Sequence, residues 1–253
     1  MTSKSKTQTQ QQAEQFVEMC RYLGLKQLAE EYPQLLDKVG KDDPGYYEFI
    51  RQIILSETAA KKQRRVEYLV KQSRLPQPLK MLSGYDFDFQ KKLDRRLVMD
   101  LSSMEFIERK ESILFLGNNG VGKSHLAQSL ALMACQKGYK SLYTTCSELI
   151  RDLNQGVFEK TLEKRIRKYI NCELLLIDEM GHDRLELQVV KEAHLLFKVI
   201  DQRYEKKKPL IFTSNIEEED WPEFLGDPVS TSAIFRPYLP SLGNRENIWP
   251  QLP

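Results

Sequence analysis

The sequence predicts an α/β protein in which a parallel β-sheet flanked by helices follows a small all-helical N-terminal domain. In the second part of the chain, short apolar runs alternate with longer amphipathic stretches, which is the pattern of β-α-β units. In the first part, apolar residues instead recur at the spacing of one helix face. The chain has 253 residues, of which 41% are hydrophobic and 29% charged, so the collagen-like and wholly disordered classes are excluded.

The N-terminal region is expected to contain a tail and then a helical domain. Residues 1–12 are polar and have little to bury, so they are expected to be disordered. Residues 13–80 carry the helical spacing and are expected to form a helical domain. Because basic residues cluster at 61–74, this domain is expected to bind DNA or a protein partner. Pro76 and Pro78 should end its last helix, because proline cannot continue the hydrogen bonds of a helix interior. Residues 81–236 are then expected to form the α/β core.

The core is expected to contain four buried strands and the helices between them. The runs that we expect to form strands are 112–116, 141–145, 174–178 and 209–214. The stretches that we expect to form helices are 123–137, 147–153, 162–169 and 187–205. Because most of these strands are apolar without alternation, helices should cover both faces of the sheet, as they do in parallel sheets.

A glycine-rich segment follows the first strand and opens the next helix. It reads GNNGVGKS and matches the phosphate-binding pattern GxxxxGK[ST]. Its glycines allow successive backbone N–H groups to point at phosphate oxygens, and the helix N-terminus adds a favourable partial charge. Lys123 is expected to contact the β- and γ-phosphates of a nucleotide, and the Ser124 hydroxyl to ligate Mg²⁺. The expected phosphate-binding residues are Gly117, Asn118, Asn119, Gly120, Val121, Gly122, Lys123 and Ser124.

Two carboxylates and an amide follow later strands of the predicted sheet. The run LLLIDE ends in Asp178 and Glu179, at the carboxyl end of a strand, where open α/β sheets bind their ligands. Asp178 is expected to hold Mg²⁺ through water, and Glu179 to orient or deprotonate an attacking water. Asn215 follows the last strand and has two interpretations: a sensor of the γ-phosphate, or the N-cap of a helix that starts near Glu217.

Other residue types argue against several classes of enzyme. The chain has four cysteines and three histidines, without a CxxC pair or an HExxH spacing, so neither a zinc site nor a metal hydrolase is expected. The cysteines are expected to be buried and reduced. His125, next to the P-loop serine, is expected at a helix surface. The sequence contains neither an NKxD-like motif of GTPases nor the HRD and DFG motifs of kinases.

Together these residues resemble an additional-strand P-loop NTPase of the AAA+ type, with a parallel sheet flanked by helices. More narrowly, they resemble the IstB family, whose relatives include the DnaC helicase loaders. The resemblance extends over residues 13–234, which is nearly the whole chain. The segments that carry it are Tyr85–Phe89 (YDFDF), Leu93–Arg96, Gly117–Ala127, Leu174–Gly181, Phe212–Asn215, Asp220–Trp221 and Gly226–Val229.

The resemblance implies a function. IstB-like proteins are ATP-binding helpers encoded beside the transposase of certain bacterial insertion sequences, and the family binds DNA, oligomerises with ATP and stimulates the transposase. The resemblance therefore implies an ATPase that uses ATP and Mg²⁺, forms homo-oligomers, and has DNA and the transposase of the same element as partners. By position, it implies Lys123, Glu179 and Asn215 as catalytic residues and Ser124 and Asp178 as Mg²⁺ ligands.

Residues 237–253 depart from the family pattern. The pattern has an Asp-Arg pair whose arginine resembles a finger that reaches the γ-phosphate of a neighbouring subunit. Here Arg236 stands where the Asp belongs and Pro237 where the arginine belongs, so this segment resembles a truncated or frameshifted end. Hydrolysis is therefore expected to be slow. Two further functions stay open, a DnaC-like helicase loader in DNA replication and a non-hydrolysing ATP-binding remnant.

DNA binding requires local clusters of charge, because 38 Lys and Arg nearly balance 36 Asp and Glu. The candidate DNA-binding residues are Lys61, Lys62, Arg64, Arg65, Lys71 and Arg74, and further along the chain Lys164, Arg165 and Lys168. Few aromatic residues accompany them, so contacts with the DNA backbone, without sequence preference, are expected. The sequence shows neither a signal peptide nor an apolar run of the ~20 residues that a membrane helix needs, so a cytoplasmic location without membrane contact is expected.

Overall fold

The computed structural model describes residues 3–42, 45–89, 93–180 and 193–216. The chain divides into two compact units, Met1–Glu67 and Tyr68–Pro253. None of the helices in the described ranges is long and apolar enough to cross a membrane. The helices and strands are α1 Ser3–Tyr22, α2 Lys26–Asp42, α3 Tyr46–Gln72, α4 Arg95–Leu101, α5 Glu105–Arg109, β1 Ile113–Leu116, α6 Lys123–Gln136, β2 Ser141–Thr145, α7 Cys146–Phe158, α8 Leu162–Asn171, β3 Leu174–Met180, α9 Ala193–Glu205 and β4 Leu210–Ser214.

The first unit is built from α1, α2 and most of α3. Helices α1 and α2 pack together, with the rings of Phe16 and Tyr32 in an edge-to-face contact at 5.4 Å between centroids. Glu57 of α3 is 7% exposed and joins α3 to α2, because the Leu28 N–H donates to its Oε2 at 3.0 Å. Arg64, seven residues further along α3, donates to Glu57 Oε1 at 2.8 Å. A buried carboxylate that accepts hydrogen bonds at both of its oxygens therefore fixes α2 against α3.

Two boundaries differ from those expected from the sequence. Helix α1 begins at Ser3, whereas residues 1–12 are expected to be a disordered tail. A helix that has formed over apolar residues extends readily into polar ones, because each added residue contributes one more backbone hydrogen bond. The first compact unit ends at Glu67, upstream of the expected boundary between residues 80 and 81.

The physical reason for the earlier boundary is the packing of residues 69–75 within the second unit. Leu69 and Leu75 are buried, and the Ser73 carbonyl accepts a hydrogen bond of 2.7 Å from the Tyr143 N–H of β2. Ser73, the residue directly after α3, therefore supplies a hydrogen-bond acceptor to the edge strand of the sheet.

The second unit contains a four-stranded parallel sheet with helices on both faces. The strand order is β1-β4-β3-β2, so the chain crosses from one edge of the sheet to the other between β1 and β2, and β3 and β4 then lie between these two strands. Successive residues of β3 point to opposite faces. Leu174 and Leu176 pack in the core with α4, α5 and α6, whereas Leu175 and Ile177 pack with α7, α8 and α9. The four predicted strands and the helices on both faces are thereby confirmed.

Two other expectations concern the cysteines of both units and the last predicted helix. All four cysteines are free and buried, as expected. The predicted helix over 187–205 is described from Ala193, and its earlier residues lie outside the described ranges. Because the carboxyl ends of parallel strands meet at one edge, β1, β3 and β4 bring their following residues to the same side of the sheet.

Candidate functional site

The phosphate-binding loop connects β1 to α6, as the sequence predicts. Gly122 is the N-cap of α6 and has a left-handed backbone with φ of 95°. A Cβ atom at this position would lie 2.7 Å from the ring of Tyr85. Position 122 therefore requires glycine for two reasons: its backbone is left-handed, and the Tyr85 ring occupies the space that a Cβ atom would need.

Tyr85 is a neighbour of the loop that the sequence identified only as part of the YDFDF segment. Its hydroxyl donates to the Val121 carbonyl at 3.3 Å, and its ring makes edge-to-face contacts with Phe87 and His125. His125 Nε2 lies 2.9 Å from the Met81 carbonyl. The first turn of α6 and the loop are thus held on one side by residues 81–87. His125 keeps part of its surface exposed in this contact.

Lys123 is held inside the loop. Its side chain is 8% exposed, and its Nζ donates to the carbonyls of Gly117 at 2.7 Å and Asn118 at 2.8 Å. Burial lowers the pKa of Lys123 below its ordinary value, and the nearby charge of Asp178 opposes this change. The ammonium group is therefore already desolvated and positioned, and phosphate oxygens can replace the loop carbonyls as its acceptors.

Asp178 lies near the carboxyl end of β3, is 1% exposed, and accepts hydrogen bonds at both oxygens. Oδ1 accepts from the hydroxyls of Ser124 at 2.8 Å and Thr213 at 2.5 Å. Oδ2 accepts from the Gln128 amide at 3.2 Å and the Tyr143 hydroxyl at 3.3 Å. Burial, followed by the charge of Asp178, raises the pKa of Tyr143, which keeps this hydroxyl a donor. Four donors from α6, β2 and β4 thus offset the cost of burying the carboxylate.

Glu179 is the next residue and has an unusual backbone. It is exposed, and its φ is 61°, which is left-handed for a non-glycine residue within a strand. The pairing of β3 with β4 is irregular between Ile177 and Met180. The Glu179 N–H donates to the hydroxyl of Thr213 at 2.9 Å. This local irregularity places Glu179 at the lining of the cleft beside the loop.

Asn215 directly follows β4 and also lines this cleft. Its Oδ1 is buried and has no hydrogen-bond partner within the described ranges. The residues of the alternative helix near Glu217 lie outside those ranges. The cleft has a volume of about 320 Å³. Its lining residues are Asn119, Gly120, Gly122, Lys123, Ser124, His125, Glu179, Thr213, Ser214 and Asn215.

The residues present fit Mg²⁺ together with a nucleotide. Ser124 and Asp178 supply a hydroxyl and a carboxylate oxygen that lie 2.8 Å apart. In the described parts of the chain, no group of three or more His, Cys, Asp or Glu could hold a metal ion. Mg²⁺ in phosphate-binding sites needs few protein ligands, because phosphate oxygens and waters complete its coordination. A hydroxyl and one carboxylate beside a phosphate-binding loop are therefore a sufficient protein contribution.

The first candidate DNA cluster lies on α3 and the residues after it. Lys61, Lys62 and Arg65 are exposed, whereas Arg64 is half-buried and forms an ion pair with Glu57 at 2.8 Å. Lys71 and Arg74 belong to the second unit and are exposed. Arg64 therefore has a structural contact that the sequence did not indicate.

The second candidate cluster is partly neutralised within the protein. Arg165 of α8 pairs with Asp152 and with Glu159, and Lys168 pairs with Asp152 at 3.0 Å. Hydrogen bonds from Arg165 lower the pKa of Glu159. Lys164, by contrast, is exposed. Of the three candidates in this cluster, Lys164 is the one whose charge faces solvent without such a pair among the ion pairs described.

The expected departures at the C-terminus concern residues outside the described ranges. Arg236 and Pro237 lie there, together with the rest of residues 237–253 and the resemblance segments at 220–221 and 226–229. The expectations for these positions stay predictions.

Comparison with known proteins identifies the family of this chain. The family model described as IstB-like ATP binding protein matches residues 19–238. An ATP-binding protein of insertion sequence IS5376 from Geobacillus stearothermophilus is 37% identical over 221 residues, which are 87% of this chain and 86% of the relative. An ATP-binding protein of insertion sequence IS21 from Pseudomonas aeruginosa is 35% identical over 212 residues, which are 84% of this chain and 78% of the relative.

Solved structures agree on the fold. The crystal structure of DnaI superposes with a TM-score of 0.56 at 19% identity, covering 71% of this chain and 95% of that chain. AMPPCP-bound DnaA from Aquifex aeolicus superposes with a TM-score of 0.51 at 18% identity, covering 71% of this chain and 51% of that chain. This chain therefore spans about half of the DnaA chain. At these identities the likeness shows the P-loop AAA+ fold alone.

Proposed function

The chain belongs to the family of IstB-like ATP-binding proteins, and from this premise we propose that it is a Mg²⁺-dependent ATPase that binds DNA and assists the transposase of an insertion sequence. Nucleotide binding would favour assembly of several copies on DNA. The observation that carries the proposal is the cleft that brings Lys123, Ser124 and Glu179 together beside Asp178. These residues come from two motifs, the glycine-rich loop and the end of β3, and together they supply the groups that phosphoryl transfer to water requires.

The loop residues bind and orient the nucleotide. Backbone N–H groups of residues 117–124 surround the phosphates, and the N-terminus of α6 points its positive end at them. Lys123 exchanges its bonds to the loop carbonyls for bonds to the β- and γ-phosphates. Ser124 and Asp178 hold Mg²⁺, which supplies positive charge to the phosphate oxygens when bound.

Glu179 and Asn215 act on the water that attacks the γ-phosphate. The carboxylate of Glu179 lies at the cleft lining and accepts a proton from this water or fixes its orientation. The Asn215 amide has a buried oxygen without a partner among the described residues, so it can accept a hydrogen bond from the same water while its nitrogen donates to phosphate. This arrangement favours the sensor interpretation of Asn215.

DNA contacts are proposed on the exposed members of the basic clusters. Lys61 and Lys62 on α3 and Lys164 on α8 are exposed and can contact phosphates of the DNA backbone. We assign a DNA-binding or partner-binding role to the helical N-terminal unit. The names of the relatives in insertion sequences support a transposase of the same kind of element as the partner.

The test is steady-state ATP hydrolysis with and without long duplex DNA, combined with direct measurement of nucleotide binding. Lys123→Ala should abolish binding and turnover, whereas Glu179→Gln should keep binding and lose turnover by a factor of about 10² or more. Lys137→Ala, at the exposed other end of α6, is the matched control and should behave like the wild type.

Three results would change the proposal. Nucleotide binding without turnover, even on saturating DNA, would leave a non-hydrolysing ATP-binding module. Turnover that persists in Glu179→Gln would remove Glu179 from the mechanism. Capture of a replicative helicase in preference to the transposase, in a pull-down that offers both, would favour the helicase-loader function.

A further inference from the structure

We propose that Thr213 is a positioning residue that couples the Mg²⁺ ligand Asp178 to the backbone of Glu179 and so sets the position of the Glu179 carboxylate. The inference rests on the proposed function, in which Glu179 acts on the attacking water. Thr213 belongs to β4, lines the cleft and is 1% exposed. Its hydroxyl takes part in two hydrogen bonds at once, one as donor and one as acceptor.

The acceptor bond explains the unusual backbone of Glu179. In a regular β3, every second N–H group, including that of Glu179, would donate to a carbonyl of β4, but the register shifts between Ile177 and Met180. The Glu179 N–H instead donates to Thr213 Oγ1 at 2.9 Å. A left-handed conformation of a non-glycine residue costs about 1–3 kcal/mol and persists only where neighbouring contacts hold it. The Thr213 hydroxyl is such a contact.

The donor bond connects the same hydroxyl to the Mg²⁺ site. Thr213 Oγ1 donates to Asp178 Oδ1, the oxygen that also accepts from the Ser124 hydroxyl. The direction of this bond is fixed, because an ionised carboxylate accepts and cannot donate. The lone pairs of the Thr213 oxygen therefore remain for the Glu179 N–H, and any turn of the Asp178 carboxylate changes the acceptor that Glu179 uses.

These two hydrogen bonds connect the carboxylate of Asp178 to the backbone of Glu179. If a bound cation turned the Asp178 carboxylate, Thr213 would lose or weaken its acceptor, and its hydroxyl could rotate. The Glu179 N–H would then lose the alignment that stabilises its left-handed conformation. The position of the Glu179 carboxylate in the cleft would thus follow occupancy of the Mg²⁺ site, through a residue that itself contacts neither phosphate nor water in this mechanism.

The test compares three substitutions. Thr213→Val keeps the branched shape and removes the hydroxyl, whereas Thr213→Ser keeps the hydroxyl. Thr144→Val is the matched control, because Thr144 is a buried threonine of β2 whose hydroxyl donates to the Thr145 carbonyl and not to Asp178. Three quantities are measured: ATP affinity, single-turnover hydrolysis, and amide hydrogen exchange of Glu179 by NMR in the nucleotide-free protein.

The expected result is a separation of hydrolysis from binding. Thr213→Val should bind ATP within about threefold of the wild type, yet hydrolyse it at least about tenfold more slowly, since Glu179 is misplaced. Its Glu179 amide should exchange at least about tenfold faster, because the hydrogen bond that protects it is gone. Thr213→Ser and Thr144→Val should match the wild type in all three quantities.

The other possible outcomes overturn either the inference about Thr213 or the ATPase proposal. Normal hydrolysis or unchanged exchange of the Glu179 amide in Thr213→Val overturns the inference and leaves the ATPase proposal intact. Equal loss of ATP binding and thermal stability in Thr213→Val and Thr213→Ser shows a purely structural role and also overturns it. A wild type that binds ATP without hydrolysing it overturns the ATPase proposal, and the inference then stands or falls on the exchange of the Glu179 amide alone.

Discussion

The hydroxyl of Ser124 donates to the carboxylate of Asp178 across 2.8 Å, although the two residues are 54 positions apart in the chain. Ser124 lies in the first turn of α6, and Asp178 lies near the carboxyl end of β3. The contact arises because β1 and β3 are parallel strands whose following residues meet at one edge of the sheet. Two motifs recognised separately in the sequence thus form one site.

Asp178→Asn should weaken Mg²⁺-dependent nucleotide binding by about tenfold or more. The substitution removes a negative charge, and its amide nitrogen would face one of the donors that now bond to the carboxylate. Affinity for an ATP analogue is measured by calorimetry with Mg²⁺ and with EDTA, and the Mg²⁺-dependent part should be lost. Asp201→Asn, at an exposed position of α9, serves as the control. Equal Mg²⁺ dependence in the two variants would contradict the assignment.

Gly122→Ala should abolish nucleotide binding, whereas Gly138→Ala should not. The two glycines flank α6 with nearly equal φ values, 95° and 94°. Both alanines carry the cost of a left-handed backbone, about 1–2 kcal/mol. At position 122 the added Cβ also meets Tyr85 at 2.7 Å, whereas at position 138 nothing lies within 4 Å. Nucleotide affinity and thermal unfolding of both variants separate the two effects. A similar nucleotide affinity in the two variants would mean that the Tyr85 ring moves away from the added Cβ atom at little cost.

Glu57→Gln should destabilise the N-terminal unit by about 1–3 kcal/mol at neutral pH, since a charged acceptor of two hydrogen bonds is removed. Burial raises the pKa of Glu57, but hydrogen bonds from Leu28 and Arg64 outweigh it, and the pKa lies below its ordinary value of 4.5. Stability from this carboxylate is therefore fully present above pH 4.5 and lost as the pH falls through the lowered pKa.

Hydrogen exchange of peptides from α2, followed as a function of pH, checks this dependence. The difference between the wild type and Glu57→Gln should shrink as the pH falls below 4.5. A difference that stays constant through this range would show that the ionised form of Glu57 has no special role.

Arg203→Lys should lower the free energy of unfolding by about 2–3 kcal/mol. Arg203 of α9 is fully buried, and its two terminal nitrogens donate to the carbonyls of Tyr169 at 2.6 Å and Pro209 at 2.7 Å, and also to that of Cys172. Lysine ends in a single nitrogen and lacks the planar fork of the arginine guanidinium, so it cannot donate to all of these carbonyls at once. Denaturant unfolding measures the loss, with the exposed Arg151→Lys as control. Equal midpoints for both variants would contradict this role.

Removal of the exposed charges at Lys164 and Arg167 should weaken DNA binding more than removal of the paired charge at Lys168. The first two side chains are exposed, whereas Lys168 already pairs with Asp152 at 3.0 Å. In the double variant Lys164→Gln/Arg167→Gln, the negative slope of log affinity against log salt should become less steep by about 2. Each DNA phosphate that is no longer neutralised reduces the steepness by roughly 0.9. Titrations at several salt concentrations measure the slope, and Lys137→Gln is the control. An unchanged slope would exclude this face of α8 from the DNA surface.

The sequence by itself determined the loop over residues 117–124, the strand that ends in Asp178 and Glu179, and the position of Asn215. These features were predictable because their chemistry is local. A phosphate-binding loop needs glycines and a lysine at fixed spacing, and a buried parallel strand needs a continuous apolar run. Helix termini were less predictable, as the start of α1 at Ser3 shows, because a formed helix extends into residues that would not start one.

Only the tertiary structure decided which side chains surround those motifs. Thr213, Gln128 and Tyr143 all bond to Asp178, yet each belongs to an element distant in sequence and none has a residue type that marks a site. In the same way, the pairing with Asp152 that neutralises Lys168 depends on how α7 packs against α8. A hydrogen bond requires two groups to lie within about 3 Å, and the packing of helices on the sheet, rather than spacing along the chain, sets that distance.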